Sequence, residues 1–191
     1  MSPSRGRWPA VVVAAGLLLF TTGACGQWSG SPAGVESSPT TPPPPTWTPP
    51  PVAPPAPQPV GAGPCPYLSA AAVESANGEH VGAVRISADR PHPACFFLAG
   101  GSAGERVQLR TWIVVATPEV ARATVDAAAP VATSDLAELP GGWSGGSQPT
   151  ADGAVFAVAR EGTAVVVTTN QQRTISARRI AEQVILALRA S

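Results

Sequence analysis

The chain has 191 residues, of which 23 are Pro and 19 are Gly, and a proline content this high predicts a segment that does not fold into a globular domain. Twelve Arg side chains balance twelve acidic ones and no Lys is present, so the formal net charge is zero. With no excess of positive charge, the composition argues against a protein that binds nucleic acid or an anionic surface.

The first 24 residues have the layout of a secretory signal peptide. Two arginines near the N-terminus form a short positive region, an apolar run follows over residues 11–20, and small residues precede Cys25. Counted from Trp8, the run has about 12 residues and as a helix is roughly 18 Å long, which is short of the ~30 Å hydrocarbon core of a bilayer. The sequence therefore predicts a cleaved signal peptide at residues 1–24 rather than a membrane-spanning anchor.

Cys25 indicates which kind of signal peptide this is. The run Thr22-Gly23-Ala24-Cys25 resembles a lipobox, in which the Cys thiol receives a diacylglyceryl group before cleavage, although lipoboxes usually carry Leu where Thr22 stands. The alternative is an ordinary secreted protein that is cleaved near Ala24, with Cys25 incidental. Because two or three acyl chains on one residue hold firmly to a membrane, a lipidated Cys25 predicts a protein anchored on the outer face of the cytoplasmic membrane.

Residues 25–64 have no periodic apolar pattern and are dense in proline. Proline has no backbone N–H and a fixed φ, so the segment favours an extended polyproline II conformation. We expect a disordered tether that could extend to about 100 Å and that spaces the domain from the membrane. A ligand for a proline-recognising domain and a Thr-rich site for O-glycosylation are the alternatives.

The proline content falls after residue 64, and periodic segments predict one globular domain over residues 65–191. Cys65 and Cys95 are its two cysteines, and a lone pair of cysteines in an exported chain most often forms a disulfide. Metal ligation and a reactive thiol are the rival interpretations. His80 and His92 are the available further ligands, and neither has metal-ligand spacing from a second ligand, so we expect no metal.

The elements of this domain are predicted from its apolar periodicity and its capping residues. The predicted helices cover residues 70–76, 117–129 and 174–190, and the predicted strands cover residues 80–87, 95–98, 106–116, 153–160 and 163–170. Residues 134–139 are expected to form one extra turn and Pro140–Gly146 a loop. The order α-β-β-β-α-β-β-α predicts an α+β fold with one antiparallel sheet of about five strands and helices packed on it.

Two tryptophans of the domain each have two interpretations. Trp143 follows Gly142 in the predicted loop, and its ring is either presented to a partner or packed back onto the core. Trp112 either packs under a helix or is exposed. We therefore treat Trp143, Gly142 and Trp112 as candidate contacts with a ligand or partner.

Four motifs in the domain resemble a known family. They are Cys65-Pro66-Tyr67-Leu68, Pro93-Ala94-Cys95-Phe96-Phe97, Leu139-Pro140-Gly141-Gly142-Trp143 and Val165-Val166-Val167-Thr168-Thr169-Asn170-Gln171-Gln172. Together they resemble an actinobacterial lipoprotein family known as domain of unknown function 2020, over about residues 65–188. The resemblance implies export and lipidation, and it implies no activity.

The residues do not assemble into a known catalytic set. The sequence has neither a Gly-x-Ser-x-Gly nucleophile elbow nor a phosphate-binding glycine loop ahead of a helix. Acidic pairs such as Asp135 with Glu138 are better explained by turns and caps. We therefore predict a monomeric, non-catalytic lipoprotein without cofactor, whose domain binds an envelope protein or a small ligand. The alternatives are an envelope assembly factor without a ligand pocket and, less favoured, a hydrolase with an unrecognised site.

Overall fold

A computed structural model of the chain describes residues 49–101 and 106–190. The helices are α1 (Ala70–Asn77), α2 (Pro118–Ala128) and α3 (Thr174–Ala190). The strands are β1 (Gly61–Ala62), β2 (Val81–Ile86), β3 (Cys95–Ala99), β4 (Val107–Val115), β5 (Asp135–Leu139), β6 (Trp143–Thr150), β7 (Gly153–Arg160) and β8 (Thr163–Thr169). The predicted signal peptide, Cys25 and residues 25–48 of the predicted tether lie outside the described residues.

All eight strands form one antiparallel sheet in the order β1-β2-β3-β4-β8-β7-β6-β5. The prediction of about five strands in the order α-β-β-β-α-β-β-α is therefore wrong, although the mixed α+β class holds. The five predicted strands correspond to β2, β3, β4, β7 and β8. The sheet is wider because β1 is added at one end, and β6 and β5 are added at the other.

The segment that contains β5 and β6 differs most from its prediction. Residues 134–139, expected as a turn, contain β5, and the predicted loop shortens to three residues before β6 begins at Trp143. Gly145 and Gly146 lie inside β6 because α2 packs close to it. A Cβ on Gly145 would meet Ala157 O of β7 and would lie 2.8 Å from the side chain of Val125, and one on Gly146 would meet Ser134 Oγ and would lie 3.0 Å from Ala129 O. These glycines mark a close approach of neighbouring backbone and of the end of α2, not a turn.

The turn between β5 and β6 does require glycine. Gly141 and Gly142 have φ values of 90° and 82°. This left-handed backbone conformation is unfavourable for residues other than glycine. Two arginines satisfy the carbonyl groups of this turn. Arg189 Nη2 donates to Pro140 O at 3.0 Å, and Arg160 Nη1 donates to Gly141 O at 3.3 Å.

The closed face of the sheet is the side that α1 and α3 cover. The predicted apolar stripe of α3 is buried there, and the core on this side includes Phe97, Leu109, Phe156, Ile180 and Val184. The predicted disulfide between Cys65 and Cys95 is present, with a Cα–Cα distance of 5.6 Å, and it joins the chain before α1 to β3. The disulfide therefore fastens the entry of α1 to the sheet.

The open face is the side that α2 covers alone. Thr117 caps α2 by accepting a hydrogen bond from Val120 N at 3.4 Å, and Pro118 occupies the first turn, as the sequence predicts. A helix of 11 residues is about 16 Å long, whereas eight strands at about 4.8 Å spacing span about 34 Å. One helix of this length leaves part of the open face without a covering helix.

A buried polar network ties α1 to one end of the sheet. Asn77 Nδ2 donates to Gln108 Oε1 at 3.1 Å and to Asn170 Oδ1 at 3.0 Å, and Thr169 Oγ1 donates to Asn77 Oδ1 at 2.6 Å. Asn170 Nδ2 continues the network to Glu79 Oε1 at 3.0 Å. Asn170, which belongs to one of the four sequence motifs, thus joins β8 to α1, and this is a structural task.

Candidate functional site

A cavity on the open face lies between α2 and the strands β5, β6 and β7. We call it the α2 groove, and its volume is about 470 Å³, which lies within the usual range of ligand pockets. Its lining residues are Arg122, Val125, Asp126, Ala129, Val131, Ser134, Leu136, Gly142, Ser144, Gly145, Ala159, Arg160 and Glu161. Two apolar side chains beside it are unusually exposed: Val131 by 83% and Leu136 by 78%.

The α2 groove combines an apolar floor with charges of both signs. Val125 of α2 and Ala129, which caps the end of that helix, are buried. Arg122 and Asp126 lie on the same helix, while Arg160 and Glu161 come from the end of β7 and the turn after it. Such a groove suits a ligand or peptide that has an apolar side chain next to polar or charged groups.

Trp143 lies in the core and not on the surface. Its side chain is 4% exposed and packs in the cluster of the closed face, which is the second of the two interpretations given above. Its Nε1 is buried and has no hydrogen-bond partner among residues 49–101 and 106–190, and the Arg160 guanidinium lies 5.4 Å from the ring centroid. Gly142, its neighbour in the turn, is exposed and lines the α2 groove. Of this pair, the glycine is the residue at the groove.

Trp112 also packs under a helix. It is 9% exposed and belongs to the cluster of the open face, together with Ala121 and Val125 of α2. Its position follows from the alternation of β4, which directs Trp112 and Val114 to the open face and Leu109 and Ile113 to the closed face. The ring supports α2 from below and leaves little surface for a partner.

Each of the two histidines contacts a neighbouring side chain. His80 Nδ1 lies 2.7 Å from Glu74 Oε1, and that same oxygen accepts a hydrogen bond from Val81 N at 2.8 Å. The His92 ring meets Tyr67 edge-on, with centroids 6.4 Å apart. Among residues 49–101 and 106–190, no group of three or more His, Cys, Asp or Glu side chains is arranged to hold a metal ion.

Tyr67, from the first sequence motif, has an interior role. Its hydroxyl donates to Pro93 O at 2.8 Å and shares a hydrogen bond of 3.0 Å with Thr111 Oγ1. Burial of the ring raises the pKa of Tyr67 to about 12, with a smaller contribution from the charge of Asp89 and an opposing one from the hydrogen bond to Thr111. The motif around Cys65 therefore positions the chain against β3 and β4.

A second cavity on the open face was not predicted. It has a volume of about 340 Å³, and Phe96, Arg110, Asp152 and Thr168 are among its lining residues. The Nε of Arg110 is buried and makes no hydrogen bond within the described part of the chain, and burial lowers the pKa of Arg110. The strand pattern places Arg110 on the face of Trp112, but the cavity beside it is formed by segments that are far apart in the sequence.

These features define a predominantly antiparallel sheet protein with a helical pair on one face and a single helix beside a groove on the other. The chain matches the family described as Domain of unknown function (DUF2020) over residues 50–190, and it belongs to that family. The match begins ahead of Cys65 and includes β1. No curated protein matches the chain. None of the helices in the described ranges is both long and apolar enough to cross a membrane.

Proposed function

We propose that this chain is a lipid-anchored protein of the cell envelope, and that its domain binds a partner in the α2 groove without catalysing a reaction. The groove is the observation that carries the proposal. It has the volume of a binding pocket, an apolar floor and two exposed apolar side chains, Val131 and Leu136, at its border. Exposed apolar side chains that cluster beside a cavity are typical of a contact site.

The anchor part of the proposal is supported by the sequence before residue 49 and by the disulfide. The signal-like N-terminus ends at Cys25 in a lipobox-like run. Disulfides persist mainly in oxidising compartments outside the cytoplasm, and the Cys65–Cys95 bond is consistent with an exported domain. The proline-rich segment between Cys25 and the domain would then be the spacer.

Two further functions remain as alternatives. An envelope assembly factor without a ligand pocket agrees with the burial of Trp143, but the α2 groove favours the binding role. A hydrolase is the second candidate because Asp126 and Glu161 both line the groove together with two arginines. Both carboxylates are exposed, and in the described residues neither is held by a neighbouring side chain in the way that a positioned general acid or base is.

Site-specific photo-crosslinking in the native host tests the binding role. The full chain carries a photo-reactive phenylalanine analogue at Val131, beside the groove, and the matched control carries it at Leu186 of α3, which is 62% exposed and lies away from the groove. We expect a discrete adduct from Val131 and none from Leu186, identified by mass spectrometry. Equal adducts at both positions, or none at Val131, would contradict the role of the groove.

The same samples test the anchor when they are prepared with and without Cys25→Ser. We expect the parent chain in the membrane fraction with an acylated Cys25 at its N-terminus, and the Ser variant in the medium or as an unprocessed precursor. A Ser variant that matures and partitions like the parent would refute lipidation, whatever the crosslinks show.

A further inference from the structure

We propose that β5 is a docking strand. It accepts an extended, positively charged segment of a partner protein as a ninth strand of the sheet, and an apolar side chain of that segment packs against Leu136 at the α2 groove. This inference rests on the proposed binding role of the groove and specifies the chemistry of the partner. Strand addition of this kind combines main-chain hydrogen bonds with a pocket for alternate side chains.

The hydrogen-bonding groups of β5 point to the outside of the sheet at alternate residues. β5 pairs with β6 and ends the sheet, so within the described residues its other side has no strand neighbour. The Glu138 carbonyl accepts a hydrogen bond from Arg178 Nη2 at 3.5 Å, which places this carbonyl on the outer side. Because alternate residues of a strand direct N–H and C=O to the same side, Leu136 also presents both groups there.

The opposite edge of the sheet is blocked by the chain itself. β1 pairs with β2, and the pairing is extended by Val60 N donating to Ile86 O at 2.9 Å and by Gly63 N donating to Val84 O at 3.2 Å. Pro59 and Pro64 flank this short strand, and proline at an edge prevents further pairing. β5 contains no proline between Asp135 and Leu139, so the two edges differ in what they can accept.

The side chains next to this edge favour an apolar residue on the incoming strand. Leu136 is exposed on β5, lines the α2 groove and lies on the side of Val131, which is also exposed. Directly opposed residues on neighbouring strands have Cβ atoms about 4.5–5.5 Å apart. A Val or Leu opposite Leu136 would therefore cover it and reach the border of the groove.

The charges of β5 favour a basic partner over a second copy of this chain. Asp135 and Glu138 are both exposed, their cross-strand neighbours are Ser147 and Ser144, and neither forms an ion pair within the described part of the chain. Pairing β5 with its own copy would bring four carboxylates onto one short seam. Arg178 is the cation that reaches this edge, and it already pairs with Glu182 at 3.1 Å. Lys or Arg on an incoming strand would neutralise these acids.

Nuclear magnetic resonance titration with a defined peptide tests the proposal. The probe is the blocked octapeptide Thr-Lys-Thr-Val-Thr-Lys-Thr-Val, in which Lys and Val lie two residues apart on one face of the strand, as Leu136 and Glu138 do on β5. It is added to the ¹⁵N-labelled mature chain carrying Cys25→Ser. We expect the largest amide shifts at Leu136 and Glu138, smaller ones at groove residues, and none at β1. A peptide with Glu in place of Lys should bind at least about tenfold more weakly, because it repeats the charge of β5.

Main-chain pairing is tested by two peptides that are N-methylated at alternate residues, one in each phase. The phase that methylates the N–H groups facing β5 should abolish the shifts, and the other phase should retain them. Glu138→Gln should weaken binding by about two- to fivefold, whereas Asp152→Asn, which removes an exposed carboxylate elsewhere, should leave it unchanged.

Three outcomes would overturn the inference. They are no shifts at β5 at millimolar peptide, shifts that centre on another part of the sheet, and equal binding of both methylated peptides. If any of these occurs while Val131 still gives its crosslinked adduct, the binding role of the groove stands and strand addition is wrong. If the adduct also fails, the proposed function falls as well.

Discussion

The two faces of the sheet are built from the same strands but are covered by different helices. On the closed face, α1 and the 17-residue α3 cover the strands, and Trp143 is buried in the core of that face. On the open face, the 11-residue α2 lies mainly on β7 and β8, and the groove opens toward β5 where the helix ends. The difference shows that a single short helix leaves a groove on its face of the sheet, whereas two helices close the other face.

The difference between the two faces is tested most directly by truncating one side chain on each face and comparing the loss of stability. Trp143→Ala should lower the free energy of unfolding by about 3–5 kcal/mol, since it leaves a cavity in the closed face. Leu136→Ala, at the open groove, should change it by no more than about 0.5 kcal/mol. Denaturant unfolding followed by far-ultraviolet circular dichroism measures both changes.

Trp143→Phe is the control for this pair. In the described part of the chain no acceptor pairs with Trp143 Nε1, so its removal leaves no acceptor unpaired there. The Phe variant should therefore lose much less stability than the Ala variant. Equal destabilisation by Trp143→Ala and Leu136→Ala would show that the two faces do not differ as described.

Removing the disulfide tests how far the closed face depends on its covalent link. Cys65→Ala with Cys95→Ala should lower the free energy of unfolding by about 3–4 kcal/mol, because a loop across a separation of 30 residues is no longer closed in the unfolded chain. The variant and the parent are compared by the same denaturant unfolding.

The structural changes caused by this double substitution should be confined to the closed face. Amide shifts of Leu136 and of the α2 residues should match those of the parent chain in the folded double variant. Large shifts in the α2 groove would indicate that the disulfide also supports the open face.

The smallest expected effect concerns Tyr67, which packs against the core of the closed face. Burial raises the pKa of its hydroxyl to about 12, whereas the unfolded chain titrates near the ordinary value of about 10. This contribution to stability is complete below pH about 10 and is lost as the pH rises to about 12, because the unfolded chain releases its proton first. The total loss is about 3 kcal/mol, because each pKa unit corresponds to about 1.4 kcal/mol.

Tyr67 is the single Tyr of the chain, so phenolate absorbance reports its titration alone. Tyr67→Phe should be insensitive to pH in this window, apart from a uniform loss from the missing hydrogen bonds to Pro93 and Thr111. A midpoint near pH 10 in the folded protein would contradict the burial of the hydroxyl.

Local signals predicted much of the fold. The cap Thr117 and the following Pro118 mark the start of α2, and the apolar stripe of α3 predicts both its length and its buried face. Alternation predicts β4, and the cysteine count predicts the disulfide. Each of these rests on residues that are neighbours in sequence or on a pairing with no competing partner.

The segment from Asp135 to Gly146 was mispredicted because its signals are ambiguous. Four glycines and a proline are typical of a loop, but only Gly141 and Gly142 serve the turn. The other two allow Val125 and Ala129 to approach β6. A glycine that permits close packing is indistinguishable in sequence from one that permits a turn, because the helix responsible lies about 20 residues earlier in the chain.

The sequence by itself determined the helices, the five strongest strands, the disulfide and the family, since each depends on periodicity, caps or motifs. The tertiary structure decided that Trp143 is buried, that the sheet has eight strands, and that β5 and the α2 groove lie side by side. Those outcomes depend on which strand lies beside which and on where each helix packs against the sheet. Such relations between distant segments arise only when the chain packs.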